Sequence, residues 1–484
     1  IGLRNYIEGG IPLDATLTAN NGKATSNVRD GLSAKSDAFG VQFDLGLGNG
    51  IRLQNNFRWA KNSGRFIGIF PGDDPHAAPA GTTYAVGAKA GQAYAGDFFT
   101  TALFNTKVDD ASLTADDLKV SRRFDLGAGA TLTALGGLYL SQQKLNITWS
   151  FNQYNLSASG SHATVLNVPS APNGDPIWGG CCMNTQDSKY GTTAPYAVLT
   201  YESGGLTVDG SVRQDRNRAS GVYYQAGGNG GLSYTLSRPN VIDYDFNRAS
   251  WSLGTNLQLS KDMALFARLS DGAAFNADRI TFFNDPNLVN GASPKIPVNQ
   301  VKQLEGGVKW RSGGMSLFAT LFYAKTDEVN VDLTTVPITV KQNHFKSKGL
   351  ELEGAYRAGS FAINGGLTYT DAQQADGRTP KRQAKIVYQL SPTWQASDAF
   401  SLGASIVGTT ASKDDGPGGA LTITLPAYAS VNAFASYAVT PALSLGLAVN
   451  NLFNSIGYTE SNDGRMVARS INGRTAKATL KYSF

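Results

Sequence analysis

The chain closes on 473-GRTAKATLKYSF-484. Taken in steps of two from the end, Phe484, Tyr482, Leu480, Ala478 and Ala476 share one face, and Ser483, Lys481, Thr479, Lys477 and Thr475 share the other. Successive side chains of a strand point to opposite sides, so this is a strand with an apolar face, a polar face and a terminal aromatic. Left as a free edge it would aggregate. In a closed barrel its apolar face meets lipid and its edge finds a partner strand.

The same alternation runs through the chain. The segment 41-VQFDLGLGNGIRLQNNFRW-59 sets Val41, Phe43 and Leu45 on one face, turns at Asn49-Gly50, and sets Ile51, Leu53, Phe57 and Trp59 on one face again. Segments 251-WSLGTNLQLSKDMALFARLS-270, 303-QLEGGVKWRSGGMSLFATLFYA-324, 350-LELEGAYRAGSFAINGGLTYT-370, 386-IVYQLSPTWQASDAFSLGASI-406 and 431-VNAFASYAVTPALSLGLAV-449 repeat it. Each is two period-2 runs joined by a short turn of Gly, Pro, Ser, Asn or Asp, the signature of a β-hairpin. Helical periodicity is nowhere sustained.

About seventeen strands of roughly 8 to 12 residues result, a length suited to tilted membrane crossing. Between the hairpins lie long polar stretches, 61–115, 143–194, 215–248 and 271–300. Short turns at one end and long loops at the other are the asymmetry of outer-membrane barrels. The expected fold is therefore all-β, a transmembrane antiparallel β-barrel over residues 1–484 with long extracellular loops. The strand at 38–46 runs into a tight turn, so one must ascend before it. Residues 1–8, IGLRNYIE, supply that strand and bring the number to about eighteen, an even number as bacterial barrels require.

Composition agrees with this class. Of the 484 residues 55 are glycine, 10% are aromatic and only 16% are charged. Mean hydropathy is −0.21, and no stretch approaches the roughly 18 apolar residues of a membrane-crossing helix. A net charge of +5 is small for this length and gives no case for a nucleic-acid partner. The chain opens at Ile1 with neither Met nor a signal-like apolar run, as a processed chain or a piece of a longer one would.

The stretches 301-VKQLEGGVKWRSGGMSLFATLFYAKTDEV-329, 347-SKGLELEGAYRAGSFAINGGLTYTDA-372, 451-NLFNSIGY-458 and the closing 473–484 resemble the C-terminal barrel of TonB-dependent outer-membrane receptors. So does 263-MALFARLSDGAAFNADR-279. The resemblance covers residues from about 245 to 484, and the first half more loosely. It implies a barrel of about 22 strands, of which about eighteen are in this chain. It also implies an N-terminal plug, a TonB-binding segment, and import of a scarce solute such as a siderophore, vitamin or oligosaccharide. No plug or TonB-binding segment is found before residue 38. The expected partners are outer-membrane lipid, a small-molecule substrate and, through the resemblance, TonB and a plug. A passive eighteen-stranded porin is the first rival; a barrel enzyme and a soluble all-β adhesin are the others.

No catalytic, metal or cofactor site is expected. His76, His162 and His344 fall in loops or at loop margins without partner spacing. Polar-face parity puts Arg52, Arg58, Lys119, Arg123, Arg213, Glu305, Lys309, Glu351, Glu353 and Lys385 toward the lumen, and Arg122 on the apolar side. Ligand contacts are expected from loop aromatics beside amides and glycines: Trp149 and Tyr154, Trp178, Tyr223 and Tyr224, Phe282 and Phe283. The adjacent Cys181 and Cys182 suggest either a vicinal disulfide stiffening the loop near Trp178, two free thiols, or bonds to another chain.

Overall fold

The structure, a computed structural model, describes residues 13–17, 23–27, 30–158, 163–169, 175–176, 184–225, 240–275, 298–332, 339–415, 422–461 and 468–484. Seventeen of its strands form one continuous antiparallel barrel wall. They are β1 (Leu32–Gly48), β2 (Ile51–Pro71), β3 (Asp97–Asp110 continued by Leu113–Gly127), β4 (Ala130–Ser157), β5 (Asn184–Ser203), β6 (Leu206–Gln225), β7 (Asn240–Ser260) and β8 (Met263–Phe275). Then follow β9 (Val298–Ser312), β10 (Met315–Asp332), β11 (Thr339–Ala358), β12 (Phe361–Gln374), β13 (Ile386–Gln395), β14 (Phe400–Thr409), β15 (Tyr428–Thr440), β16 (Leu443–Asn450) and β17 (Thr475–Tyr482). Each strand pairs with the next in sequence.

The short turns that join consecutive wall strands, such as 49–50, 128–129, 204–205, 261–262 and 313–314, all lie at one end. Asn49 and Gly50 both have positive φ, 50° and 73°, and Gly313 and Gly314 have 55° and 83°. That backbone twists a two-residue hairpin in the same hand as its strands, and Asn and Gly adopt it at least cost. The strand ends that border the other connections, among them Pro71 and Asp97, Ser157 and Asn184, and Asn450 and Thr475, lie at the opposite end.

The strands are longer than the alternation suggests. The expected loop at 143–194 is strand up to Ser157 and again from Asn184, and β2 and β3 likewise extend into the expected loop at 61–115. The stretches 215–248 and 271–300 shrink in the same way at both ends. Above the lipid the ladders go on pairing without needing an apolar outer face, so the hydrophobic signal stops before the strand does.

Register fixes the faces. Cross-strand rows such as Phe39–Trp59, Val41–Phe57 and Leu45–Leu53 are apolar and lie on one face. Val212 (59% exposed) and Leu253 (54%) stand bare on that same face, as a lipid-contacting surface requires. Arg122 is on this face, its guanidinium 4.8 Å over the Phe124 ring and so leaning toward the turn end. Among the described residues, packed apolar clusters sit mainly toward the loop end. One joins Ile67, Phe99, Leu103, Tyr154 and Leu156 to Ala163 and Val165.

β1 pairs with β2 and β17 with β16, and among the described residues no ladder joins β17 to β1. Leu480 is 68% and Tyr482 64% exposed. Both end strands run toward the tight turns, so an antiparallel seam between them takes an odd number of strands. The ascending strand expected at 1–8 lies outside the described residues.

Candidate functional site

On the face opposite the apolar rows, β3 to β8 present polar and aromatic side chains in tiers. Nearest the turns, Arg268 forks onto Asp209, both contacts at 2.9 Å, and reaches Ser252 at 3.0 Å. One tier up, Tyr196 lies over Gly137 and donates to Asp117 at 2.7 Å, while Lys119 pairs with Asp117 at 2.8 Å. A Cβ on Gly137 would sit 2.2 Å from the Tyr196 ring, so the glycine makes room for the aromatic.

Next comes a recess of about 190 Å³ lined by Tyr139, Ser141, Thr192, Arg213, Asp215, Asn217, Phe246 and Arg248. The Arg213 guanidinium lies 5.0 Å over the Tyr139 ring and bonds Asp215 at 2.7 to 3.1 Å. Arg248 reaches Asp271 at 3.3 Å. Above the recess Tyr190, Tyr223 and Tyr244 are buried with Leu145 and Ile242. Gln186 donates at 2.6 Å to both Ser188 and the Tyr190 hydroxyl.

The hydrophobic phase flips along each of these strands. On β7, Ile242, Tyr244 and Phe246 face inward beside outward Asp243, Asp245 and Asn247; further down, Trp251 and Leu253 face outward beside inward Ser252 and Gly254. Below the flip lipid covers the apolar side; above it, the aromatic side turns inward.

The sequence-expected residues fall in different places. Tyr223 is in the inner aromatic cluster, and Trp149 is half-buried on the same parity of β4 as Tyr139. Tyr154 packs in the outer loop cluster with Leu103 and Leu156. The side chain of Tyr224 and residues Trp178, Cys181, Cys182, Phe282, Phe283 and His162 lie outside the described residues. His76 Nδ1 is 2.8 Å from the Asp74 carbonyl, and His344 Nδ1 is 2.6 Å from Asp327. Tyr139, Tyr190, Tyr244 and Phe246 were not anticipated, although the phase flip in 242-IDYDF-246 signals two of them.

The expected polar-face charges share the inner parity. Arg52 pairs with Asp44, and Arg123 lies 4.0 Å from Glu202. Lys309 reaches Asn256 at 3.2 Å, and Gln303 donates to Glu305 at 3.0 Å. Arg58 is exposed on the same parity, and Lys385 lies in the connection before β13. Glu351 and Glu353 line a second recess of about 460 Å³ with Ser316, Asn364, Thr368 and Gln389.

At the loop end an ionic knot ties three connections. Arg382, at positive φ 61°, bonds Asp414 at 2.9 Å, Glu460 at 2.6 Å and the Ser461 carbonyl at 3.2 Å. Burial pushes the Asp414 carboxyl up, but the Ser461 amide, the Arg382 guanidinium and the Asp415 amide outweigh it and hold it below the usual range. A depressed folded pKa contributes stability above the unfolded value and loses it as pH falls. Asp414→Asn is therefore expected to speed hydrogen exchange at the Ser461 and Asp415 amides about tenfold at neutral pH, by weakening bonds to a buried charge. The wild type should lose the same protection only under acid conditions, as pH falls through the depressed pKa of the carboxyl. Equal protection in the two proteins at pH 7 would remove Asp414 as the organiser.

The family described as "TonB dependent receptor-like, beta-barrel" matches residues 3–452. The chain belongs to this family. Its members are receptors of the Gram-negative outer membrane, not enzymes, and that places the barrel in the outer membrane. No curated protein sequence matches the chain. Among solved structures, the ferric-catecholate import receptor Fiu of E. coli K12, in its closed form, is similar, with TM-score 0.68 and 16% identity over 99% of this chain and 69% of its own. BauA, the ferric preacinetobactin receptor of Acinetobacter baumannii, has TM-score 0.63 and 12% identity over 94% of this chain. The copper transporter OprC has TM-score 0.54 and 12% identity over 97%. The chain spans 63% of the length of BauA and 74% of that of OprC. At these identities the likeness is one of fold.

Proposed function

We propose that this barrel is the wall of an outer-membrane importer for a bulky anionic metal chelate of the iron–siderophore type, energised by TonB through a plug. The observation that carries the reading is the inner wall of β4 to β7, where Arg213 and Arg248 stand among Tyr139, Phe246 and the buried tyrosines above them. Aromatic faces stack on the planar rings of a chelator, and guanidinium forks match its carboxylate or catecholate oxygens. Both arginines rest on partly covered aspartates, Asp215 19% and Asp271 18% exposed at the side chain, so a chelate anion competes with a carboxylate for each guanidinium, and that competition favours reversible binding. Fiu is a ferric-catecholate import receptor and BauA a ferric preacinetobactin receptor, which supports the substrate class.

The test uses the full-length receptor. Arg213→Glu combined with Tyr139→Ala is expected to weaken binding of a cognate ferric chelate by about tenfold or more, as loss of a charged and an aromatic contact does. Equilibrium binding in detergent and uptake of radioactive iron by cells would read it. Unchanged affinity in a folded variant would move the ligand path away from this wall.

A further inference from the structure

We propose that the β12–β13 connection is a releasable latch. Its Lys381 and Arg382 sit in a socket of carboxylates on the next two connections, and a polycarboxylate anion opens the latch by taking both cations over. Two short hairpins at the loop end build the socket. Ser412–Asp414 pairs with Ile423–Leu425 between β14 and β15, and Tyr458–Ser461 with Ala468–Ser470 between β16 and β17. Lys381 bonds Asp415 at 2.6 Å, beside the contacts of Arg382 with Asp414 and Glu460. The Arg382 amide donates to the Lys413 carbonyl at 2.7 Å.

The backbone of Arg382 argues for release. At φ 61° it occupies a region that side chains avoid, and such strain persists only while its surroundings enforce it. Letting go relieves it.

The acceptors argue the same way, because departure of the latch strips none of them. The Asp414 side chain is fully buried, yet it keeps the Ser461 amide at 2.7 Å and the Asp415 amide at 2.9 Å. Glu460 keeps Arg469 at 3.0 Å, and Asp415, 23% exposed at the side chain, turns to water. A buried carboxylate left without a donor would hold the latch shut. The Ser461–Asp414 bond also keeps the other two connections joined, so release lifts one strap only.

The exposure of the two cations selects the anion. The Arg382 side chain is 31% and that of Lys381 48% exposed, so both are reached from solvent while the latch is closed. A guanidinium fork matches one carboxylate and the neighbouring ammonium takes a second. A di- or tricarboxylate therefore competes with the socket where chloride does not. The other charges nearby stay out of the exchange: Asp376 pairs with Arg378 at 2.7 Å, and Lys413 donates to Thr424 at 2.6 Å. The latch does not depend on the inner-wall site of β4 to β7.

Limited tryptic digestion of the full-length receptor in detergent is the test, since the socket shields the bond after Lys381. The probes are citrate and sodium chloride at the same ionic strength. Citrate should speed cleavage after Lys381 at least about tenfold over chloride, the change for loss of a charge-assisted tie. Cleavage after Lys89, exposed on a separate connection, should not change. Arg382→Gly keeps the left-handed backbone and the Lys381 site but removes the guanidinium. It should be cut at the fast rate in chloride alone and gain nothing from citrate. Equal rates for wild type in citrate and chloride would overturn the proposal and leave a fixed tie. So would an Arg382→Gly receptor as resistant as wild type, or one that citrate still accelerates. The wild-type comparison decides the matter if the variant does not fold.

Discussion

Replacing Leu253 with arginine is expected to destabilise the folded barrel by about 2–4 kcal/mol, the range for a cation near the middle of the lipid face of a barrel. Leu253 lies near the centre of the outward apolar run of β7 and pairs with Gly210 on β6 and Leu269 on β8. Apart from Arg122, which leans toward the turns over Phe124, its row across β3 to β7 offers an arginine nothing polar. Thr200→Lys makes the matched control. Thr200 is on the opposite parity of β5, directly across from Asp209, so a lysine there gains a partner and faces water. Denaturant titration from lipid vesicles should show a large shift of the midpoint for Leu253→Arg and a change within about 1 kcal/mol for Thr200→Lys. Equal shifts would mean that the two faces are wrongly assigned, and the barrel reading would fall with them.

The faces were readable because lipid imposes a strict alternation. Leu480, Tyr482 and Phe484 carry it as plainly as Val41, Phe43 and Leu45, and the hairpin turns at Asn49-Gly50 and Gly313-Gly314 announce themselves by residue type. What lies above the lipid was less legible. Gln186, Ser188 and Tyr190 continue β5 in register, yet their inward side mixes amide, hydroxyl and aromatic, and no period of hydrophobicity marks them as strand. The same cause hid the inner aromatic wall. Amide neighbours single out Tyr223 in the sequence, whereas Tyr244 and Phe246 alternate with aspartates on a strand whose apolar phase has changed sides. The knot of Arg382 with Asp414 and Glu460 joins residues 32 and 78 positions apart, a closure that no local pattern encodes.

Valine at Gly349 or Gly307 is expected to cost the barrel about 1–3 kcal/mol or prevent its assembly, as overpacking against backbone does. Both glycines lie on the inner parity, each under an aromatic of a neighbouring strand. A Cβ at Gly349 would sit 2.1 Å from the Tyr369 carbonyl oxygen and 2.5 Å from the Phe322 ring. At Gly307 it would sit 2.0 Å from the Ala319 carbonyl oxygen and 2.9 Å from the Phe266 ring. A flexible side chain could swing away, but a carbonyl oxygen in a ladder can move only by breaking the pairing of β11 with β12, or of β9 with β10. Gly191→Ala, also on a central strand but with no atom nearer than 3.9 Å, should be tolerated. If the effect came from strand propensity alone, all three substitutions would stabilise, since glycine is the poorer strand former. Opposite signs at Gly349 and Gly191, read from heat-modifiable gel mobility and the urea midpoint, would show that close approach of the strands decides. A Gly349→Val barrel with an unchanged midpoint would mean that Phe322 and its ladder have room that this packing denies them.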